Sequence, residues 1–197
     1  KQVEAKITDD ERIFEARQWF DKGYQHSLNN EHDSAIEVYT KAIALDPNNV
    51  KAYNNRGNAY GKKGQYDRAI EDYNKAIALN PNLAFAYGNR GVAYAGKGQY
   101  DRAIEDYNKA IEINPNNADA YHNRGGAYYG KGQYDRAIED HNKAIAIDPN
   151  GADAYTKRGA SYFLLGNMGR AISDFQKACD MGNEDACKAL QTVLENR

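Results

Sequence analysis

Apolar and small residues recur along this chain at helical spacing, in paired runs split by a short polar turn. Residues 50–83, VKAYNNRGNAYGKKGQYDRAIEDYNKAIALNPNL, show the pattern. Ala52, Tyr53, Ala59 and Tyr60 form one run; Ala69, Ile70, Tyr73, Ala76 and Ile77 form the next. Steps of three, four and seven residues place each set on one helix face, so two amphipathic helices are predicted. Gly64 lies between them, with Gly98, Gly132 and Gly166 in the same place further on and Asn30 in the first copy. Glycine and asparagine best tolerate a left-handed backbone, so each is expected to close the first helix of its pair. Asp67, Asp101 and Asp135 follow and are expected to cap the second helix. That helix should end at Asp-Pro or Asn-Pro, because proline cannot continue it.

The pair repeats at a fixed step. All four prolines, Pro47, Pro81, Pro115 and Pro149, stand 34 residues apart, and glycine, alanine and tyrosine lines keep the same step. The frame runs without gaps as 16–49, 50–83, 84–117, 118–151 and 152–185, with a lead at 1–15 and a tail at 186–197. A period of this length marks a solenoid, in which each unit buries its apolar face against its neighbours. In the lead, Thr8 and Glu11 have the T-x-x-E spacing of a capping box, so the first helix should start near Asp9. In the tail, Ala186, Leu190, Val193 and Leu194 share one helical face, as expected of a helix that covers the last hairpin.

Small residues at unit positions 8 and 20, such as Gly57 and Ala69, would let the paired helices approach closely. Aromatics at 4, 11, 17 and 24 would fill the space between hairpins. Aromatic at 4, Gly at 8, Tyr at 11, Ala at 20, aromatic at 24, Ala at 27 and Pro at 32 resemble the tetratricopeptide repeat family. Unit one supplies Trp19, Gly23, Ala35, Tyr39, Ala42 and Pro47, with His26 in place of tyrosine. Unit four departs at His141 and unit five at Asn183. Position 7, usually leucine in the family, is Arg56, Arg90, Arg124 and Arg158. The resemblance covers 16–185 and implies an all-α, right-handed superhelical solenoid of five repeats with a C-terminal capping helix.

Units two and three differ at nine of 34 positions, six of them in the first helix. Positions 2, 5, 9, 12 and 13, where the units vary most, fall in one sector of about 100° on a helical wheel. A merely solvated face would also drift, but the solvated face of the second helix barely varies. The variable sector is therefore expected to line a binding groove, and in the resembling family this sector lines the concave surface that holds peptides. It would display Arg17, Phe20 and Tyr24; then Lys51, Asn54, Asn58 and Lys62; then Phe85 and Val92; then His122 and Tyr129; then Thr156 and Phe163. Beside it, Asn55, Asn89 and Asn123 recur at position 6. An amide both donates and accepts, so the three resemble the asparagine ladder with which some tetratricopeptide proteins grip a main chain. Solvated or cap-forming asparagines are the competing explanation, and both stay open. A carboxylate clamp, the family's other mode, is rejected: Asn54, Asp119 and Asn123 stand where cations are needed.

Charge narrows the partner. With 26 basic and 28 acidic residues and no like-charge block, the chain offers no footprint for nucleic acid. Its apolar runs are too short for a membrane span. It opens at Lys1 without a signal-like stretch, so a mature form or an excised fragment is expected. The Arg line at position 7 recurs with Asp72, Asp106, Asp140 and Asp174 at position 23, as expected of a structural ladder of charged hydrogen bonds. His26, His32 and His141 replace tyrosines and are expected to pack; His122 alone faces the proposed groove.

Cys179 and Cys187, in KACDMGNEDACKAL, resemble the closing segment of Sel1-like repeats, where such cysteines are bridged. A short Gly-Asn turn between two helices could bring them into range, and the bridge would imply an extracytoplasmic (periplasmic or secreted) compartment. Two buried thiols in a cytosolic protein are the alternative. No nucleophile–base pair, metal cluster or phosphate-binding loop appears, so a non-catalytic chain without cofactor is expected. The expected function is a scaffold or adaptor that binds an extended peptide or partner helix along the first helices. Self-assembly with another copy, or service as the regulatory module of a larger enzyme or secretion complex, are the alternatives.

Overall fold

The computed structural model describes residues 8–195. The lead residues 1–7 and residues 196–197 of the expected closing helix lie outside the described residues. Eleven helices and no strand occur among the described residues. The chain divides into two compact units, Lys1–Lys97 and Gly98–Arg197.

The first unit holds α1 (Asp9–Leu28), α2 (His32–Leu45), α3 (Val50–Lys62), α4 (Tyr66–Leu79) and α5 (Ala84–Gly96). Each helix packs on the next, and the odd-numbered helices also touch: α1 meets α3, and α3 meets α5. The capping box at the start of α1 is complete: the Glu11 N–H donates to Thr8 Oγ1 and the Thr8 N–H donates to Glu11 Oε2. The second unit holds α6 (Tyr100–Ile113), α7 (Ala118–Gly130), α8 (Tyr134–Ile147), α9 (Ala152–Leu164), α10 (Met168–Asp180) and α11 (Glu184–Glu195). Within it each helix again packs on its successor.

The turn residues behave as their chemistry requires. Gly64 closes α3 at φ 71° and Asn30 closes α1 at φ 58°. Gly98, Gly132 and Gly166 share the conformation, and Gly182 adds a sixth case before α11. The second helices do not start where the aspartates were expected to cap them. Gln65, Gln99 and Gln133 occupy the cap position without a side-chain cap bond, and Asp67, Asp101 and Asp135 lie inside the first turn. Their carboxylates complement the positive helix end, and two of them have a further use. Lys97 pairs with Asp67 in the first unit and Lys131 with Asp101 in the second, as Lys63 pairs with Asp33. These pairs link successive hairpins. Leu165 takes the lysine's place in the last repeat.

Close approach inside each hairpin is set by glycine against the position-24 ring. A methyl group added at Gly57 would stand 2.8 Å from Tyr73, and one at Gly125 2.8 Å from His141. A second contact joins hairpins: Tyr66 lies against Gly96 and Tyr100 against Gly130. The arginine ladder forms too. Arg56, Arg124 and Arg158 each hold both carboxylate oxygens of Asp72, Asp140 and Asp174 at 2.6–2.8 Å. Their remaining guanidinium nitrogen reaches back to the preceding second helix, to Thr40, Asn108 and Asn142, as Arg90 does to Asn74. Arg56, Arg124 and Arg158 thus tie their own second helix to the previous hairpin. Removing one member would leave a buried charge exposed to no counter-charge, which costs far more than the pair contributes.

At the C-terminal end Cys179 and Cys187 are bridged, with their Cα atoms 4.7 Å apart. α11 buries Ala186, Leu190 and Val193 against Ala171, Phe175 and Ala178. Asn183, which stands where the other repeats have proline, accepts from the Ala186 N–H and donates to Asp153.

Candidate functional site

The first-helix face of the first unit is built on α3 and α5. Their packing stripe, Ala52, Gly57, Ala59, Ala86, Gly91 and Ala93, is buried. The variable sector lies away from it. Lys51, Asn58 and Lys62 on α3 and Phe85 and Val92 on α5 are exposed, Phe85 by 46% and Val92 by 48%. Tyr24 on α1 is about as open, and Arg17 is exposed. Lys62, Asn58, Tyr66, Tyr73, Asn89 and Val92 line a cavity of about 390 Å³ between α3, α4 and α5. The Tyr73 hydroxyl donates to Asn58 Oδ1 at 2.7 Å, which leaves the Asn58 amide N–H groups as donors to the cavity.

Three sequence expectations change here. Asn54 does not line the surface: it is 4% exposed, donates to Asn55 Oδ1 and accepts from the Asn89 amide, both at 3.2 Å. Position 5 turns toward the neighbouring first helix, and the short amide is buried there as a bridge. Phe20 packs on the Tyr39 ring at 5.7 Å and joins the core of the first hairpins. Asn55 and Asn89 are half-buried and already engaged, Asn55 with the Tyr39 hydroxyl at 3.3 Å and Asn89 with Asn54. Each retains hydrogen-bonding capacity, since a primary amide has two donors and an acceptor with two lone pairs.

In the second unit, Asn123 is half-buried and makes no side-chain hydrogen bond among the described residues. His122 is half-buried, its ring 5.3 Å from that of His141. It borders a cavity of about 220 Å³ with Asp119, Asp148 and Asp153. Burial lowers the His122 pKa, partly offset by Asp153. Tyr129 is half-buried with its ring edge on Tyr134. Thr156 donates to its own helix at the Ala152 carbonyl, and Phe163 is exposed. Tyr66 and Tyr73 wall the cavity as well as packing, which spacing alone does not reveal, because tyrosines at a helical period read as core. Among the described residues no cluster of three or more metal-ligating side chains exists, and no helix is long and apolar enough to cross a membrane.

Stacked helical hairpins, glycine-seated rings and a variable face on the first helices define a helical-repeat scaffold for protein interaction. Profiles described as "Tetratricopeptide repeat" match residues 50–83, 72–105 and 152–185. A profile described as "TPR repeat" matches 23–64, 93–132 and 125–166. The chain belongs to the tetratricopeptide repeat family. Among solved structures it is similar to one described as "Crystal structure of MamA protein", at 32% identity and TM-score 0.73, covering 84% of this chain and 91% of that one. MamA residues 41 to the end from Desulfovibrio magneticus RS-1 share the fold at TM-score 0.77 and 22% identity, over 85% of this chain and 95% of that one. YrrB, described as "a TPR protein with an unusual peptide-binding site", shares it at TM-score 0.70 and 24% identity, over 88% and 90%. No curated protein matches the chain.

Proposed function

We propose that this protein is a non-catalytic adaptor whose first helices hold an extended peptide from a partner protein. One observation carries the reading. On α3 and α5 the packing stripe is buried, while Val92 stands exposed at a cavity of about 390 Å³ that it shares with the Asn58 amide, and Phe85 is exposed two turns earlier on the same helix. Apolar side chains exposed beside convergent polar groups mark a surface that another molecule covers. Asn58 offers donors, and Asn89 an acceptor, to a peptide main chain. In the second unit the candidate groups are Asn123, at the repeat position of Asn89, with His122 and Tyr129. The bridge between Cys179 and Cys187 supports service in an oxidising compartment.

Selection from a displayed random-peptide library tests the reading. The native chain is expected to enrich defined sequences, and Phe85→Ser with Val92→Ser to weaken the enriched peptides by about tenfold or more, since one decade is only about 1.4 kcal/mol. Undiminished binding by the double variant, or protection mapped to the second helices α2 and α4, would overturn it.

A further inference from the structure

The first helices around the cavity on the first unit carry charge of one sign. α3 and α5 contain no aspartate or glutamate. Of their four cations, Arg56 is held by Asp72 and Arg90 donates to Asn74. Lys51 and Lys62 are exposed and have no carboxylate partner among the described residues. They stand eleven residues apart on one face of α3, about 16 Å along its axis. Asn58 lies between them, one turn before Lys62, with its amide N–H groups unclaimed by Tyr73. Among the described residues Lys62 is the sole charged group lining the cavity, whose other walls are Tyr66, Tyr73, Val92, Ala93 and Gly61 together with the two amides. On α1 the acidic excess, Asp9, Asp10, Glu11 and Glu15 against Arg12, lies ahead of the repeat frame; from residue 16 on the helix carries Arg17 and Lys22 against Asp21. The second unit has the reverse chemistry at the same repeat position: Asp119 and Asp153 stand where the first unit has Lys51 and Phe85.

We infer that the α3–α5 face selects acidic segments with interspersed apolar residues, the carboxylate of a Glu or Asp side chain bonding to Lys62 Nζ and Asn58 Nδ2 while an apolar neighbour covers Val92 and Phe85. The inference rests on the peptide-binding reading and adds the partner's chemistry to it. It differs from capture of a chain terminus, because the cation and amide on one helix, one turn apart, suit any carboxylate on a stem, and nothing in the cavity requires a chain end. An ammonium group over a partly apolar cavity, as Lys62 is, gains most from an anion that brings its own apolar neighbours, since bonds to a charged group strengthen as water leaves.

The test uses the full chain and three fluorescent probes with blocked ends: repeating Glu-Leu-Gly, and the same peptide with Gln or Lys in place of Glu. The Glu probe is expected to bind about tenfold or more tighter than the Gln probe at low salt, with the advantage shrinking as salt screens it. Unblocking its C-terminus should change little. Lys51→Glu with Lys62→Glu, both at exposed positions, should leave helicity by circular dichroism unchanged and reverse the order of the Glu and Lys probes. Equal binding of the Glu and Gln probes, or an unchanged order in the double variant, overturns the acidic preference and leaves the groove intact. Failure of all three probes overturns the groove reading with it. A requirement for the free C-terminus would replace side-chain recognition with terminus capture.

Discussion

The ring at unit position 24 decides how each hairpin closes on its glycine. Tyr39 and Tyr73 keep a hydroxyl partner, in Asn55 and Ser27 for the first and Asn58 for the second. Phe175 needs none. His141 is the misfit: it is fully buried, and neither ring nitrogen meets a hydrogen-bond partner among the described residues. Burial, helped by His122, Arg158 and Lys157, pushes its pKa down to about 3. Below about 6.5 the unfolded chain takes up a proton that the folded chain refuses, so stability falls as pH drops from there toward 3. The loss should approach something on the order of 4 kcal/mol at the acid end. Urea unfolding across this range checks it, and His141→Tyr should remove most of the slope. A slope unchanged in that variant would place the acid sensitivity elsewhere. Sequence marked His141 as a packing residue at a tyrosine position, but not the loss of its hydrogen bond, which depends on what Gly126 and the neighbouring helix fail to offer.

At the scale of elements, α11 is the case where covalent and apolar forces act together. It has 12 residues, short enough that a free helix would be marginal in water. Its Ala186, Leu190 and Val193 face is held on α10, and the bridge from Cys179 to Cys187 closes a small loop at its start. Closing a loop of this size stabilises by about 2–3 kcal/mol in the chain-entropy view. A dithiol reductant should therefore lower the unfolding free energy by that amount and speed amide exchange in α11 before α9. Unaltered exchange in α11 would mean that its apolar face alone holds it. The helices themselves were legible because each carries its own stop and start: left-handed Gly64 or Asn30, then Asp-Pro or Asn-Pro. Their caps were less so. Asp67 has the chemistry of a capping residue, yet its lysine partner lies 30 residues on in the next hairpin, and local spacing carries no trace of that contact.

For the whole chain, repeat architecture means that stability is summed from units and their nearest-neighbour contacts rather than stored in one core. The division into two compact units falls between α5 and α6 in the sequence, and His141 belongs to the second. Hydrogen exchange at about pH 4 should then rise first in α7, α8 and α9, while α2 and α3 keep their protection. Mass spectrometry of peptides from the two units reads this directly. Simultaneous loss in both would show a chain that unfolds as one cooperative body.

Period, hairpins, turn residues and the arginine–aspartate ladder were determined by sequence alone, because each is written several times over at short range and every copy corroborates the rest. The variable sector was legible from the opposite signal, the few positions at which the copies differ. Tertiary structure decided which polar groups in that sector are free. Asn54 is buried as a bridge, Asn55 and Asn89 are partly engaged, and Lys62 overlooks a cavity walled by tyrosines first assigned to packing. Those outcomes turn on how far one helix is rotated against its neighbour and how far a side chain reaches across the gap, and a repeat period specifies neither.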